Sequence, residues 1–284
     1  MLKKGLRTAV NLATRWLAEE KAVQEEKFGL PPFSYEDSNR FFRKIVTQDR
    51  LRRPHYVWGA VQGVNLAKAL GFSRVSLIEF GVAGGNGLTA LESTAEYLQT
   101  AFNIEIEIHG FDAIGGMPKA TDNRDTPNLW REGFYPMDPE KLRRRLQKAK
   151  LHLGLVEETV PSFIESKPAP IAFIGFDLCF YSSTLKAFRI FDAHQSLLLP
   201  RVHCFFRNIL GRTFGDHNGE RLAMSDFNAS HQMRKISKIY GLQYYLGSKV
   251  GRWVDQFYMA HILDHDLYGE YDGLIREAAL DLQS

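Results

Sequence analysis

Cysteine is scarce in this chain. Cys179 and Cys204 are the only two in 284 residues, too few for a disulfide framework and in keeping with a reducing, cytoplasmic setting. Long hydrophobic runs are missing as well, and nothing approaches the roughly 20 apolar residues that a membrane-spanning helix requires. Nor is there an excess of one charge. Lys+Arg outnumber Asp+Glu by 36 to 33, which gives no bulk attraction to nucleic acid or to an anionic membrane. Internal repeats and low-complexity segments are absent. The N-terminus lacks the continuous apolar stretch of a signal peptide. Its Lys3, Lys4 and Arg7 interrupt Leu2, Leu6, Val10, Trp16 and Leu17, the pattern of an amphipathic helix that packs on the domain, joins two copies or lies peripherally on a membrane. Glu19, Glu20, Glu25 and Glu26 dilute its basic character and favour packing.

What is present is a large apolar fraction, 44% of residues, enough for one elaborated domain or a domain with an appendage. The stretch that organises it runs from Val75 to Ala90. An apolar run, Val75 to Phe80, carries Glu79 and opens into Gly81, Gly84, Gly85 and Gly87. Leu88, Leu91, Ala95, Leu98 and Phe102 then recur at helical spacing. Strand, glycine loop and helix in this order let backbone approach a nucleotide-like ligand while free N–H groups of the helix start face it. A tight turn serving only packing is the plainer alternative. The spacing Glu-x-Gly-x-x-Gly-Gly-x-Gly departs from the G-x-G-x-x-G of nicotinamide dinucleotide sites.

Residues 1 to about 70 read as helical, broken at Gly29-Leu-Pro-Pro32, with a second segment from about Arg53 to Leu70 that closes on Gly71. Strands are predicted at Val75–Phe80, Ile104–His109, Lys150–Leu155, Ile171–Phe176 and Val202–Phe206, separated by helices that include a basic one from Asp138 to about Ala149. This alternation predicts a doubly wound, mostly parallel α/β sheet. A helix over Asp226–Tyr240 and a closing hairpin, Gln243–Leu246 with Gln256–Leu263, complete it. Such a hairpin separates this sheet from the dinucleotide-binding one. The connection from Ala113 to Met137, rich in aromatics including Trp130, reads as a lid or wall over a substrate, or as packing over the sheet edge.

Ligands of an open parallel sheet lie beyond the carboxyl ends of its strands. Glu79, Asp112, Leu155, Asp177 and Arg207 with Asn208 should share one crevice. Asp112 is placed to accept hydrogen bonds from ribose hydroxyls, or else caps a loop. Glu79 either orients the glycine loop or reaches an ammonium group. Tyr181, beside Asp177, lines an acceptor site or packs. None of the nine histidines stands out as a base.

Four segments occur in order: Glu79-Phe-Gly-Val-Ala-Gly-Gly-Asn-Gly87, Gly110-Phe-Asp-Ala-Ile-Gly-Gly-Met-Pro118, Phe176-Asp-Leu-Cys-Phe-Tyr-Ser-Ser-Thr184 and Leu199-Pro-Arg-Val202. Together they resemble class I S-adenosylmethionine-dependent methyltransferases of the macrocin O-methyltransferase group, over roughly residues 55 to 265. The resemblance implies a Rossmann-like methyltransferase sheet with an antiparallel closing strand, an N-terminal helical extension over 1–54 and a tail over 266–284. It implies S-adenosylmethionine held by Glu79, Gly81, Gly84, Gly85, Gly87, Asp112 and Leu155. Asp177 would be catalytic, with Trp130, Tyr181 and Arg207 around a small polyhydroxylated or glycosylated acceptor. The group carries a magnesium site, Asp-x-Asp after the fourth strand and Asp-Asp after the fifth. Here those positions read Asp177-Leu-Cys179 and Arg207-Asn208. One carboxylate of four is left, so no metal is expected. Arg207 would pair with Asp177 in the cation's place or bind an anionic substrate. A non-catalytic binding or assembly protein is the alternative; a homo-oligomer is compatible with either. Nucleic acid is not an expected partner, since the basic clusters at Arg50, Arg52 and Arg53 and at Lys141, Arg143, Arg144, Arg145, Lys148 and Lys150 lack a stacking platform.

Overall fold

Burial is complete from Val75 to Phe80, and this run is the centre of a seven-stranded sheet. The computed structural model describes residues 29–48, 51–211, 215–247 and 250–275; the N-terminal amphipathic helix predicted from the sequence lies outside them. Strand β1 (Arg74–Phe80) pairs in parallel with β2 (Glu105–Asp112) and β4 (Ile171–Phe176). Outward from these, β3 (Lys150–Leu153) joins β2 and β5 (Leu198–Phe206) joins β4, again in parallel. Strand β7 (Phe257–Ile262) lies antiparallel between β5 and the edge strand β6 (Arg234–Lys238). The order is β3-β2-β1-β4-β5-β7-β6, a Rossmann-like doubly wound sheet, parallel but for β7.

Helices α1 (Tyr35–Thr47), α2 (Pro54–Ala69) and α3 (Asn86–Phe102) pack in sequence, α2 also against β4 and β5 and α3 against β2. Pro54 at the first helical position suits a site where the N–H would have no partner. After the short helix α4 (Pro139–Arg143) come α5 (Val156–Glu165), α6 (Tyr181–Ala187) and α7 (Gly219–Ser230), which also pack one upon the next. Among the described residues, no helix is long and apolar enough to cross a membrane.

Four segments differ from the sequence reading. The basic helix stops at Arg143 rather than Ala149, because the N–H groups of Gln147, Lys148 and Ala149 turn together onto one oxygen of Glu92, at 2.9, 2.7 and 2.7 Å. A charged acceptor for three amides outweighs continued helical bonding in a polar segment. The helix predicted over Asp226–Tyr240 ends at Ser230 and gives way to β6, whose charged residues leave only Ile236 buried. An edge strand flanked by lysine and arginine resists pairing with another chain, and its alternation over five residues is too brief to read. The predicted strand Gln243–Leu246 is a helical turn, α8 (Leu242–Leu246), with Leu242 and Leu246 buried one turn apart. The closing hairpin is thus β6 with β7. Strand β3 also ends two residues early, where Gly154 donates its N–H to the Asp112 carbonyl at 3.0 Å.

One feature of the core positions the site. Phe111, Phe80, Phe176 and Phe206 are register partners on four adjacent parallel strands. Their rings stack in a row, with centroids 4.6, 5.3 and 4.7 Å apart. All four are fully buried. The next residue on each chain is Asp112, Gly81, Asp177 or Arg207, so these stand side by side above the phenyl row, about one strand spacing (~4.8 Å) apart.

Candidate active site

Crossovers reverse direction between β1 and β4, which opens a crevice at their carboxyl ends. The glycine loop leaves β1 there. Gly81 has φ 81°, and a Cβ on it would stand 2.3 Å from the Asp177 carbonyl oxygen. This turn passes too close to the end of β4 for any side chain. Gly87 answers a different need: a Cβ there would overlap Oε1 of Glu79 at 1.6 Å. Glu79 is buried beneath the start of α3 and accepts a hydrogen bond from the Tyr56 hydroxyl at 2.8 Å. Burial pushes its carboxyl up to about 8, so it is mostly protonated at neutral pH. Of the two roles open to it from sequence, its position fits support of the loop; it does not line the cavity.

Asp112 ties the loop to β2. Its Oδ2 accepts from the Ala83 N–H and its Oδ1 from the Ile114 N–H, both at 2.8 Å. A carboxylate offers about four acceptor positions, so roughly two remain for a ligand. From outside, Arg145 donates to the Gly84 carbonyl at 2.5 Å and to Asn86 Oδ1 at 3.0 Å. Four non-glycine residues of the cavity wall, Arg53, Ala83, Tyr135 and Cys179, have positive φ (58°, 44°, 59° and 61°), strain of the kind that collects at ligand sites.

At the end of β4, Asp177 receives Asn208 Nδ2 at 3.0 Å on Oδ1 and faces Arg207 Nε at 3.3 Å across Oδ2. Arg207 therefore pairs with Asp177, one of the alternatives the sequence left open. Burial raises the Asp177 carboxyl above its ordinary value, and Arg207 counteracts only part of that. Behind them lies Glu220, which the sequence did not single out. It is fully buried, accepts from the Asn208 N–H at 2.9 Å on Oε2, and is pushed well up by burial and the nearby Asp177 charge. A lone acid at the start of a helix carries no sequence signal of that kind.

The cavity above this row has a volume of about 690 Å³. Of the residues singled out from the sequence, Gly81, Gly84, Asp112, Leu155, Trp130, Asp177 and Arg207 line it, while Gly85 and Gly87, like Glu79, stand behind it. Tyr181 does not line it either. Its hydroxyl donates to Asp226 at 2.8 Å and accepts from Arg124 at 3.2 Å, and the Arg124 guanidinium lies 4.3 Å from its ring centre. Tyr181 thus fastens the 113–137 connection from beneath. Asp125, also fully buried, does the same: Thr121 N–H and hydroxyl and Ser182 N–H and hydroxyl all donate to it at 2.8 to 2.9 Å. The aromatic connection is a pinned wall. Arg53, Lys119, Ser182, Ser183 and Lys186 line the cavity unforeseen. Lys186 is paired with Glu157 at 2.8 Å.

Among the described residues, no histidine lines the cavity. His55, the nearest to its charged end, is held neutral, its ring lowered to about 3 by burial and by Arg53 and Arg207. With Asp112 occupied by two amides and Glu157 by Lys186, Asp177 is the carboxylate best placed to exchange a proton. The donor set at the ends of β4 and β5 does not fit a divalent cation. Asp177 is already held by a guanidinium and an amide, and burial raises the Cys179 thiol. Among the described residues, no group of three His, Cys, Asp or Glu side chains is arranged for metal binding.

No protein-family model and no curated protein matches the sequence. Solved structures do. A calicheamicin methyltransferase aligns over 68% of this chain and 83% of its own, at 20% identity and a TM-score of 0.48. An O-methyltransferase from Bacillus cereus in complex with SAH aligns over 86% and 97%, at 12% identity and 0.41. A plantazolicin methyltransferase aligns over 79% and 95%, at 13% identity and 0.31.

Proposed function

We propose that the chain is an S-adenosylmethionine-dependent methyltransferase that methylates an oxygen of a small polyhydroxylated or glycosylated acceptor without a divalent cation. The observation that carries this reading is the row Asp112, Gly81, Asp177 and Arg207 set across the carboxyl edge of the sheet by four stacked phenylalanines. Gly81 to Gly84 would hold the cofactor against the loop, Asp112 its ribose hydroxyls through the acceptor positions left free, and Leu155 an apolar face of its base. Bound S-adenosylmethionine supplies a methyl carbon on a positively charged sulfur, open to in-line attack by an oxygen.

The chain's own task is to place that oxygen and take its proton. Asp177 accepts the proton on a carboxylate whose raised pKa makes it a better base than an exposed aspartate. Asn208 and Arg207 fix its plane. The pinned wall carrying Trp130 holds the acceptor and keeps water out.

The decisive experiment is calorimetric titration of S-adenosylmethionine into metal-free protein, followed by an acceptor screen with wild type and Asp177→Asn. Micromolar binding together with transfer lost in D177N is the expected result. A second reading, a non-catalytic binding or assembly protein, is favoured by the engagement of both Asp177 oxygens by protein groups. Absence of cofactor binding, with or without magnesium, decides for it.

A further inference from the structure

Arg53 is a half-buried cation on the cavity wall with no carboxylate at ion-pair distance among the described residues. The acids whose charge it feels are Glu79 and Asp177. Neither neutralises it. Glu79 is mostly protonated at neutral pH, and Asp177 is committed to Arg207 and Asn208. Arg53 also occupies a left-handed conformation, φ 58° and ψ 69°, which only glycine adopts without cost, and Pro54 follows it. A guanidinium that lies 5.6 Å from the Tyr56 ring centre but faces no carboxylate, held in a strained backbone at the mouth of a switch-point crevice, is built to receive an anion.

Resting on the cofactor reading above, we propose that Arg53 is the receptor for the carboxylate of the cofactor's amino-acid end, fixing that end between the glycine loop and Asp177. A planar guanidinium suits a carboxylate through two parallel hydrogen bonds. The neighbouring cations of the wall are less suited. Arg207 and Lys186 already face carboxylates, and Lys119 is exposed on the far connection.

The test is titration of two probes, S-adenosylhomocysteine and methylthioadenosine, which lacks the amino-acid part, into wild type, Arg53→Met and Arg53→Gly. S-adenosylhomocysteine should weaken at least about tenfold in both variants, the size expected when one partner of a charge pair is truncated. Methylthioadenosine should bind all three proteins alike. R53G should also melt no lower than wild type, because glycine relieves the positive φ. Affinity and stability then move independently, which a merely structural role would not produce. Equal S-adenosylhomocysteine affinity in wild type and R53M, or equal weakening of both probes, overturns the assignment while leaving the cofactor reading standing. Failure of both probes to bind wild type overturns both.

Discussion

Gly81 and Gly84 lie three residues apart in one loop and should fail in opposite ways. At Gly81, alanine meets two penalties. A left-handed backbone costs an L-residue about 1–2 kcal/mol, and the Cβ would stand 2.3 Å from the Asp177 carbonyl oxygen, an overpacking that costs about 1–3 kcal/mol. Reduced freedom of the unfolded chain returns about 0.4–1 kcal/mol. Gly81→Ala should therefore lose about 2–4 kcal/mol, and the contact it breaks is the one that keeps the loop against β4. At Gly84 no atom lies within 4 Å of the added Cβ and φ is not positive, so Gly84→Ala should be neutral or slightly stabilising. Its methyl enters the cavity, and cofactor affinity should fall about tenfold or more. Urea denaturation with unchanged m, beside calorimetric titration, reads both quantities. G81A as stable as wild type refutes the steric account of the turn. G84A binding S-adenosylhomocysteine at full strength refutes the loop as the cofactor cradle.

Glu79 carries a pH signature. Its folded pKa is raised from 4.5 to about 8, so between those values the folded state holds a proton that the unfolded state has released. This contribution is fully present below about pH 4.5 and lost as pH rises through about 8. Glu79→Gln should remove that slope and exceed wild type in stability at alkaline pH, as followed by urea denaturation across the range; parallel pH profiles would contradict it. Asp125→Ala removes the acceptor of four hydrogen bonds. Hydrogen exchange should accelerate in residues 117–135 and leave β1 and β4 protected, whereas an unchanged pattern would mean that the wall is held otherwise. Tyr181→Phe, losing its bonds to Asp226 and Arg124, should cost about 1 kcal/mol. Acceptor KM should hold, since the ring lies outside the cavity; a large rise in KM would return Tyr181 to the acceptor site.

The inner part of the sheet was legible along the chain. Ile171–Phe176 is apolar without interruption and Val75–Phe80 is apolar apart from Ser76 and Glu79, as strands buried on both faces tend to be, and the glycines after Phe80 could serve only a turn or a close approach. Asp112, Asp177 and Arg207 were legible because each stands at or just past the carboxyl end of a readable strand. Elements with one weakly apolar face were not legible. Strand β6 buries a single residue, Ile236, and takes its conformation from pairing with β7; the basic segment after Arg143 takes its own from the Glu92 carboxylate.

Only the tertiary structure decided which side chains face the ligand. Glu79 and Asp112 look equivalent in sequence, each an acid near the end of a strand. The register puts both on the same face of the sheet, but Glu79, level with Gly110, sits one step further in beneath α3 with Tyr56, while Asp112 at the strand end lines the cavity. Tyr181 and Ser182 are neighbours, yet one holds the wall from behind while the other lines the site. Arg53 and Glu220 come from segments far from any motif and reach the site only because α2 packs on β4 and β5 and α7 packs on α6 and β6. Backbone pattern is local and can be read along the chain; the direction of a side chain is set by what packs against it, and that is known only when the chain has closed.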